Sequence, residues 1–313
     1  VMKWLIITDS NGTENVKEID LFLKSKKQKT DIFVATEENT NIDRIIKSEI
    51  VFKKFFKNID GVTHCIISDY NIICRYQAAI YLFGFFYGKN IPLFIARNET
   101  DEASTLSIIK KYKNVRMFKT QKLLQETINK ELHLFEEEEK RSVARQKLFK
   151  KGLPFTPDEF SIMIAENRPE ECNLFLQAGM SPDVRDSAGT PMICYAARYN
   201  KKDIVSWLAQ NGANINAVSK DRGYSAVMDA VWKKNEEIVE LLVSLGCDLN
   251  IISKDGQSVL VLAIGNGNEN ICRTLIQGGA NPRIKDHMGM SAYDYAKLFK
   301  KENIIKLMEE HEK

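Results

Sequence analysis

The sequence predicts two domains of different class. An α/β domain built on a small doubly wound parallel sheet comes first, followed by an all-α stack of helical hairpins. Three observations carry this. Short apolar runs alternate with segments of helical period over the first 120 residues. Two glycine series then recur at nearly constant spacing: Gly189, Gly223, Gly256 and Gly289 with steps of 34, 33 and 33, and Gly179, Gly212, Gly246 and Gly279 with steps of 33, 34 and 33. Between the two regions, residues 121–150 contain neither Gly nor Pro. The boundaries expected are 1–120 for the α/β domain, 121–152 for a linker helix and 153–313 for the repeats.

The N-terminal elements follow in order. Trp4–Thr8 is a compact apolar run ending in Asp9-Ser10-Asn11-Gly12, a strand and its turn. Val16, Ile19 and Leu23 give a helix, and Asp31–Ala35 a second strand. Ile42, Ile45, Ile46, Ile50, Phe52 and Phe56 again carry a helical period. Thr63–Ser68 is a third strand. Arg75–Gly88 is a nearly apolar helix with Gly88 as its C-terminal stop. Ile91–Ala96 is a fourth strand and Val115–Phe118 a fifth. Strands apolar on both faces imply a parallel sheet covered on two sides, a Rossmann- or flavodoxin-like arrangement.

Such sheets bind ligands at the C-terminal ends of their strands. The candidate ligand residues there are Asp9, Ser10 and Asn11 after the first strand, Glu37 after the second and Asp69 with Tyr70 after the third. Arg75 opens the next helix and Arg97 follows the fourth strand. Asp69-Tyr70, Arg75-Tyr76-Gln77-Ala78-Ala79, Gly84 and Gly88-Lys89-Asn90-Ile91-Pro92-Leu93 resemble the nucleoside deoxyribosyltransferase-like group, with which TIR-type domains share a layout. That resemblance implies a nucleotide or nucleoside ligand and, in an enzyme, N-glycosidic cleavage or transfer. The family's helix glutamate has no counterpart, because no Asp or Glu stands between Tyr70 and Lys89 and Gln77 is the nearest polar match. A binding domain is therefore expected in preference to a catalytic one. Neither GxGxxG nor a P-loop occurs.

Leu124, Ile128, Leu132 and Phe135 put an apolar stripe on the linker helix. Glu136–Lys140 and Glu137–Arg141 then pair acids and bases one turn apart, which predicts a solvated spacer in the second half.

In the repeats, Ala196, Ala230, Ala263 and Ala296 share one column; Ile204, Ile238, Ile271 and Ile304 a second; Leu208, Leu242, Leu275 and Met308 a third. Small alanines let inner helices approach, and the aliphatic columns fill the seams between units. The ladder glycines suit turn tips and helix ends with positive φ. Gly189-Thr190-Pro191 through Gly212-Ala213-Asn214, and Gly278-Gly279-Ala280-Asn281, resemble ankyrin repeats over residues 155–313. The resemblance implies five helix pairs, the first and last acting as caps, and a protein partner bound on the concave face. The residues at the expected contact positions are Arg198, Tyr199, Arg222, Tyr224, Trp232, Lys233 and Met290.

Composition narrows the function. Lys and Arg total 45 against 42 Asp and Glu, a formal +3 that does not point to nucleic acid. Six cysteines without CxxC spacing read as buried reduced thiols of a cytoplasmic protein. Four unpaired histidines argue against a metal site. No run has the length of a membrane span, and no resident cofactor is expected.

Overall fold

The computed structural model describes residues 2–9, 13–35, 61–68, 82, 85–86, 89, 91–96 and 114–311. They fall into two compact units, Val1–Glu139 and Lys140–Lys313.

The first unit holds β1 (Lys3–Asp9), α1 (Thr13–Ser25), β2 (Lys29–Ala35), β3 (His64–Ile67), β4 (Leu93–Ala96) and β5 (Val115–Phe118). All four pairings are parallel, in the order β2-β1-β3-β4-β5. Alternation along β1 sends Trp4 and Ile6 to one face and Leu5 and Ile7 to the other, so each face owns a core. Val16, Ile19 and Leu23 of α1 cover the Trp4 face, as do Leu124, Ile128 and Leu132 of α2 (Gln121–Lys150). Leu82 and Phe86 cover the opposite face. The helices expected over 42–56 and 75–88 otherwise lie outside the described residues.

Helix α2 differs from a solvated spacer. Its first half is docked on the sheet as its stripe requires. In its second half, Ala144 and Leu148 are buried in the core of the second unit. Arg145 Nε also donates to the Ala178 carbonyl at 3.0 Å there.

The second unit is five helical hairpins in series. They are α3 (Pro157–Ala165) with α4 (Pro169–Gln177), α5 (Met192–Arg198) with α6 (Lys202–Gln210), α7 (Ala226–Trp232) with α8 (Glu236–Ser244), α9 (Val259–Asn266) with α10 (Glu269–Gln277), and α11 (Ala292–Leu298) with α12 (Glu302–His311). Local chemistry starts them. Thr156 caps α3 ahead of Pro157, while Asn235 and Asn268 cap α8 and α10. Ser291 and Asp294 form a reciprocal capping box on α11. The four alanines of the inner column are fully buried, and the isoleucine and leucine columns are at most 2% exposed. All eight ladder glycines have positive φ.

A polar rail ties neighbouring hairpins together. The Asn214 N–H donates to Asp183 Oδ1 at 2.6 Å, Asp248 N–H to Asn216 Oδ1 at 2.8 Å and Asn281 N–H to Asn250 Oδ1 at 2.9 Å. One acceptor side chain per repeat thus satisfies a backbone donor of the next.

Candidate partner-binding surface

The inner helices of hairpins two to five each end in a pair of corresponding positions. These are Arg198 and Tyr199, Trp232 and Lys233, Gly265 and Asn266, then Leu298 and Phe299. Period 33–34 places them in two parallel columns. Tyr199 is 47% exposed, Trp232 41%, Leu298 62% and Phe299 49%, a row of large apolar side chains open to solvent. Tyr199 is held by Tyr195, whose ring stacks on it at 4.7 Å, and Phe299 stacks on Tyr295 at 6.1 Å.

Cations gather on Trp232. The Arg222 guanidinium lies 4.7 Å from the Trp232 ring centroid and 5.6 Å from that of Tyr224. Lys233 Nζ is 4.6 Å from the same indole. Among the described residues, neither cation has a carboxylate within ion-pair distance.

Arg198 is differently placed. Its Nε reaches Asp229 Oδ1 at 3.1 Å, its Nη2 reaches Oδ2 at 3.3 Å, and its Nη1 lies 3.6 Å from Asp221. Asp229 is wholly buried, and burial pushes its carboxyl up to about 6 against the pull of Arg198. Arg198 is thus committed within the stack and is not a free contact.

Two further expected contacts are less available. Tyr224 is 5% exposed, so its ring supports Arg222 from beneath and has no area to offer a partner. Met290 is half-buried, whereas Met288, two residues earlier at the turn tip, is 75% exposed. Burial of Tyr224 follows from its place directly before the helix N-cap Ser225, under the turn closed by the Val218–Ser225 bridge. Asp229 was missed as a site residue. The signal was present, because its column holds Tyr195, Leu262 and Tyr295 in the other repeats.

A family profile described as ankyrin repeats (3 copies) matches residues 160–253 and 228–313. Residues 160–313 are ankyrin repeats. An ankyrin repeat-containing protein of Treponema pallidum is 37% identical over 165 residues, which are 53% of this chain and 55% of that protein. The ankyrin repeat and KH domain-containing protein mask-1 of Caenorhabditis elegans is 30% identical over 149 residues, 47% of this chain and 6% of its own length. An ankyrin repeat protein of Acanthamoeba polyphaga mimivirus is 30% identical over 109 residues, 34% of this chain and 65% of that protein. The chain thus spans about half the length of its Treponema relative and a far smaller share of mask-1.

In the α/β unit, Asp9 ends β1, while Ser10, Asn11, Glu37, Asp69, Tyr70, Arg75 and Arg97 lie outside the described residues. The strand ends nearby are described. Ser68 Oγ donates to Thr8 Oγ1 at 2.9 Å, both buried, joining the C-terminal ends of β1 and β3. Chain order reverses between these two strands, the place where doubly wound sheets open a ligand crevice. Among the described residues, no three His, Cys, Asp or Glu side chains converge as a metal site, and no helix is long and apolar enough to cross a membrane. Cys65, Cys172, Cys194, Cys247 and Cys272 are free and buried, and burial pushes each thiol upward.

Proposed function

We propose that the ankyrin repeats hold a protein partner along the row Tyr199, Trp232 and Phe299, and that the α/β unit is a ligand-sensing or effector module of a cytoplasmic protein. The observation that carries the first half is the exposed Trp232 indole with two cations on it. A large apolar ring that stays in solvent beside exposed cations is the composition of an interface anchor. The packing does not need Trp232 there, since Gly265 fills the same column one repeat later. Affinity capture with the full chain tests the reading. Tyr199→Ala with Trp232→Ala is expected to lose the captured partner while the melting temperature stays unchanged. Undiminished capture would count against it.

The strand order supports the second half. A 2-1-3-4-5 sheet presents a crevice at the ends of β1 and β3, where Asp9 stands and where Asp69 follows in sequence. The ligand class we propose is a nucleotide or nucleoside. A thermal-shift screen over nucleotides is expected to raise the melting temperature by mass action, and silence across the panel would remove the idea. Release of free base from a nucleoside or from NAD would instead make this unit an N-glycosidase or transferase.

A further inference from the structure

The second half of α2 carries charge of one sign. Residues 140–157 hold six cations, Lys140, Arg141, Arg145, Lys147, Lys150 and Lys151, and no Asp or Glu. All six are exposed, while Ala144 and Leu148 turn into the repeat core. Two of the cations are engaged nearby: Arg145 Nε donates to the Ala178 carbonyl, and Lys151 Nζ lies 3.1 Å from Glu171. Lys147 and Lys150, both in the last turn of the helix, have no carboxylate within ion-pair distance among the described residues.

Phe149 stands between those two lysines. It is 84% exposed, more than any other large apolar side chain among the described residues. It adds nothing to the core, because Leu148 beside it already fills the inward position. Nor is it isolated. Arg145 lies one turn before it on the same face of α2, and the Arg145 guanidinium sits 5.2 Å from the Phe155 ring centroid. Phe155 is itself 37% exposed and is fixed from behind by stacking on Phe175 at 6.1 Å. Phe149 through Gly152 are four consecutive exposed residues, and a Cβ built on Gly152 would meet nothing within 4 Å. The end of α2 and its turn therefore form an open tip, apolar at Phe149 and Phe155 and ringed by cations.

We propose that this tip docks the protein end-on to an anionic lipid bilayer, with Phe149 entering the headgroup layer and Lys147 and Lys150 at the level of the lipid phosphates. A negatively charged leaflet attracts a cluster of lysines, and an exposed apolar side chain adds buried area once it is there. Lys147, Phe149 and Lys150 share one helical turn, so all three reach a flat surface together. Single-stranded nucleic acid fits less well. It needs a basic groove with rings on which successive bases stack, whereas Arg145 separates Phe149 from Phe155 and the whole chain is only +3. The site is independent of the row Tyr199, Trp232 and Phe299.

Co-sedimentation of the full chain with vesicles tests it. Vesicles of phosphatidylcholine with phosphatidylserine are expected to carry the protein down, vesicles of phosphatidylcholine alone are not, and added salt should weaken the binding. Lys147→Glu with Lys150→Glu should lower the partition about tenfold or more, and Phe149→Ser about fivefold. These side chains are exposed, so both variants should melt as the parent does. Tyr199→Ala with Trp232→Ala should partition as the parent, which keeps this test apart from that of the repeat surface. No sedimentation with anionic vesicles, equal sedimentation with both compositions, or variants that sediment as the parent does would each overturn the inference. Binding to a single-stranded oligonucleotide without binding to vesicles would overturn it in favour of nucleic acid.

Discussion

Arg198 in one repeat grips the fully buried carboxylate of Asp229 in the next, with its Nε at 3.1 Å. Burial opposes the charge of Asp229 and Arg198 supports it. Removing the guanidinium leaves an uncompensated buried charge, so Arg198→Leu should cost about 3 kcal/mol at pH 8. The loss should shrink at pH 5, where Asp229 takes up a proton and becomes neutral. Urea unfolding of the full chain at the two pH values checks this, and an equal loss at both would contradict it. In the parent protein the sign is the same. The folded carboxyl titrates at about 6, above its ordinary 3.8, so its contribution is fully present below that ordinary value and is lost as pH rises through about 6.

His64 titrates in the opposite sense. Its ring stacks on Trp4 at 4.5 Å and lies 5.3 Å from Phe135, and burial lowers it from 6.5 to about 4. Unfolded chains accept a proton that the folded one refuses between those values. Stability of the α/β unit should therefore fall as pH drops from 6.5 towards 4, by an amount on the order of 3 kcal/mol. His64→Phe should abolish that slope. The chain has three tryptophans, so Trp207→Phe with Trp232→Phe leaves Trp4 as the reporter. A slope that survives His64→Phe would assign the effect elsewhere.

The sequence reading succeeds where a constraint recurs. The alanine, isoleucine and leucine columns were legible because four repeats must each bury the same seam. The five strands were legible because a sheet covered on both faces needs unbroken apolar runs, as in His64-Cys65-Ile66-Ile67. Strand order was not, since crossover connections leave no periodic trace. The surface was legible only in part. Trp232 and Tyr199 stand out by type, whereas burial of Tyr224 and capture of Arg198 by Asp229 fall in columns whose residue type varies from repeat to repeat, so no recurring pattern announces them.

The rail of side-chain acceptors makes a prediction about interchangeability. Asp183, Asn216 and Asn250 each use only an Oδ1 towards the following repeat. Asn250→Asp should then be nearly neutral, while Asn250→Ala should cost about 1 kcal/mol by leaving the Asn281 N–H without its acceptor. Chemical unfolding of both variants decides it, and equal losses would show that the amide nitrogen matters.

Glycines of the stack should separate into two kinds. Gly256 has φ of +77°, and a Cβ there would lie 2.9 Å from the His287 backbone nitrogen and 2.5 Å from its ring. The ring can swing aside but the backbone cannot, so Gly256→Ala meets both a left-handed conformation and a fixed neighbour. A loss of about 2 kcal/mol is expected. Gly265 is helical and open, so Gly265→Ala should gain up to about 1 kcal/mol through helix propensity alone. Measured side by side by thermal unfolding, the two substitutions must move the melting temperature in opposite directions. If Gly265→Ala also destabilised the fold, Gly265 would be a packing requirement of the repeats and not an open helical position.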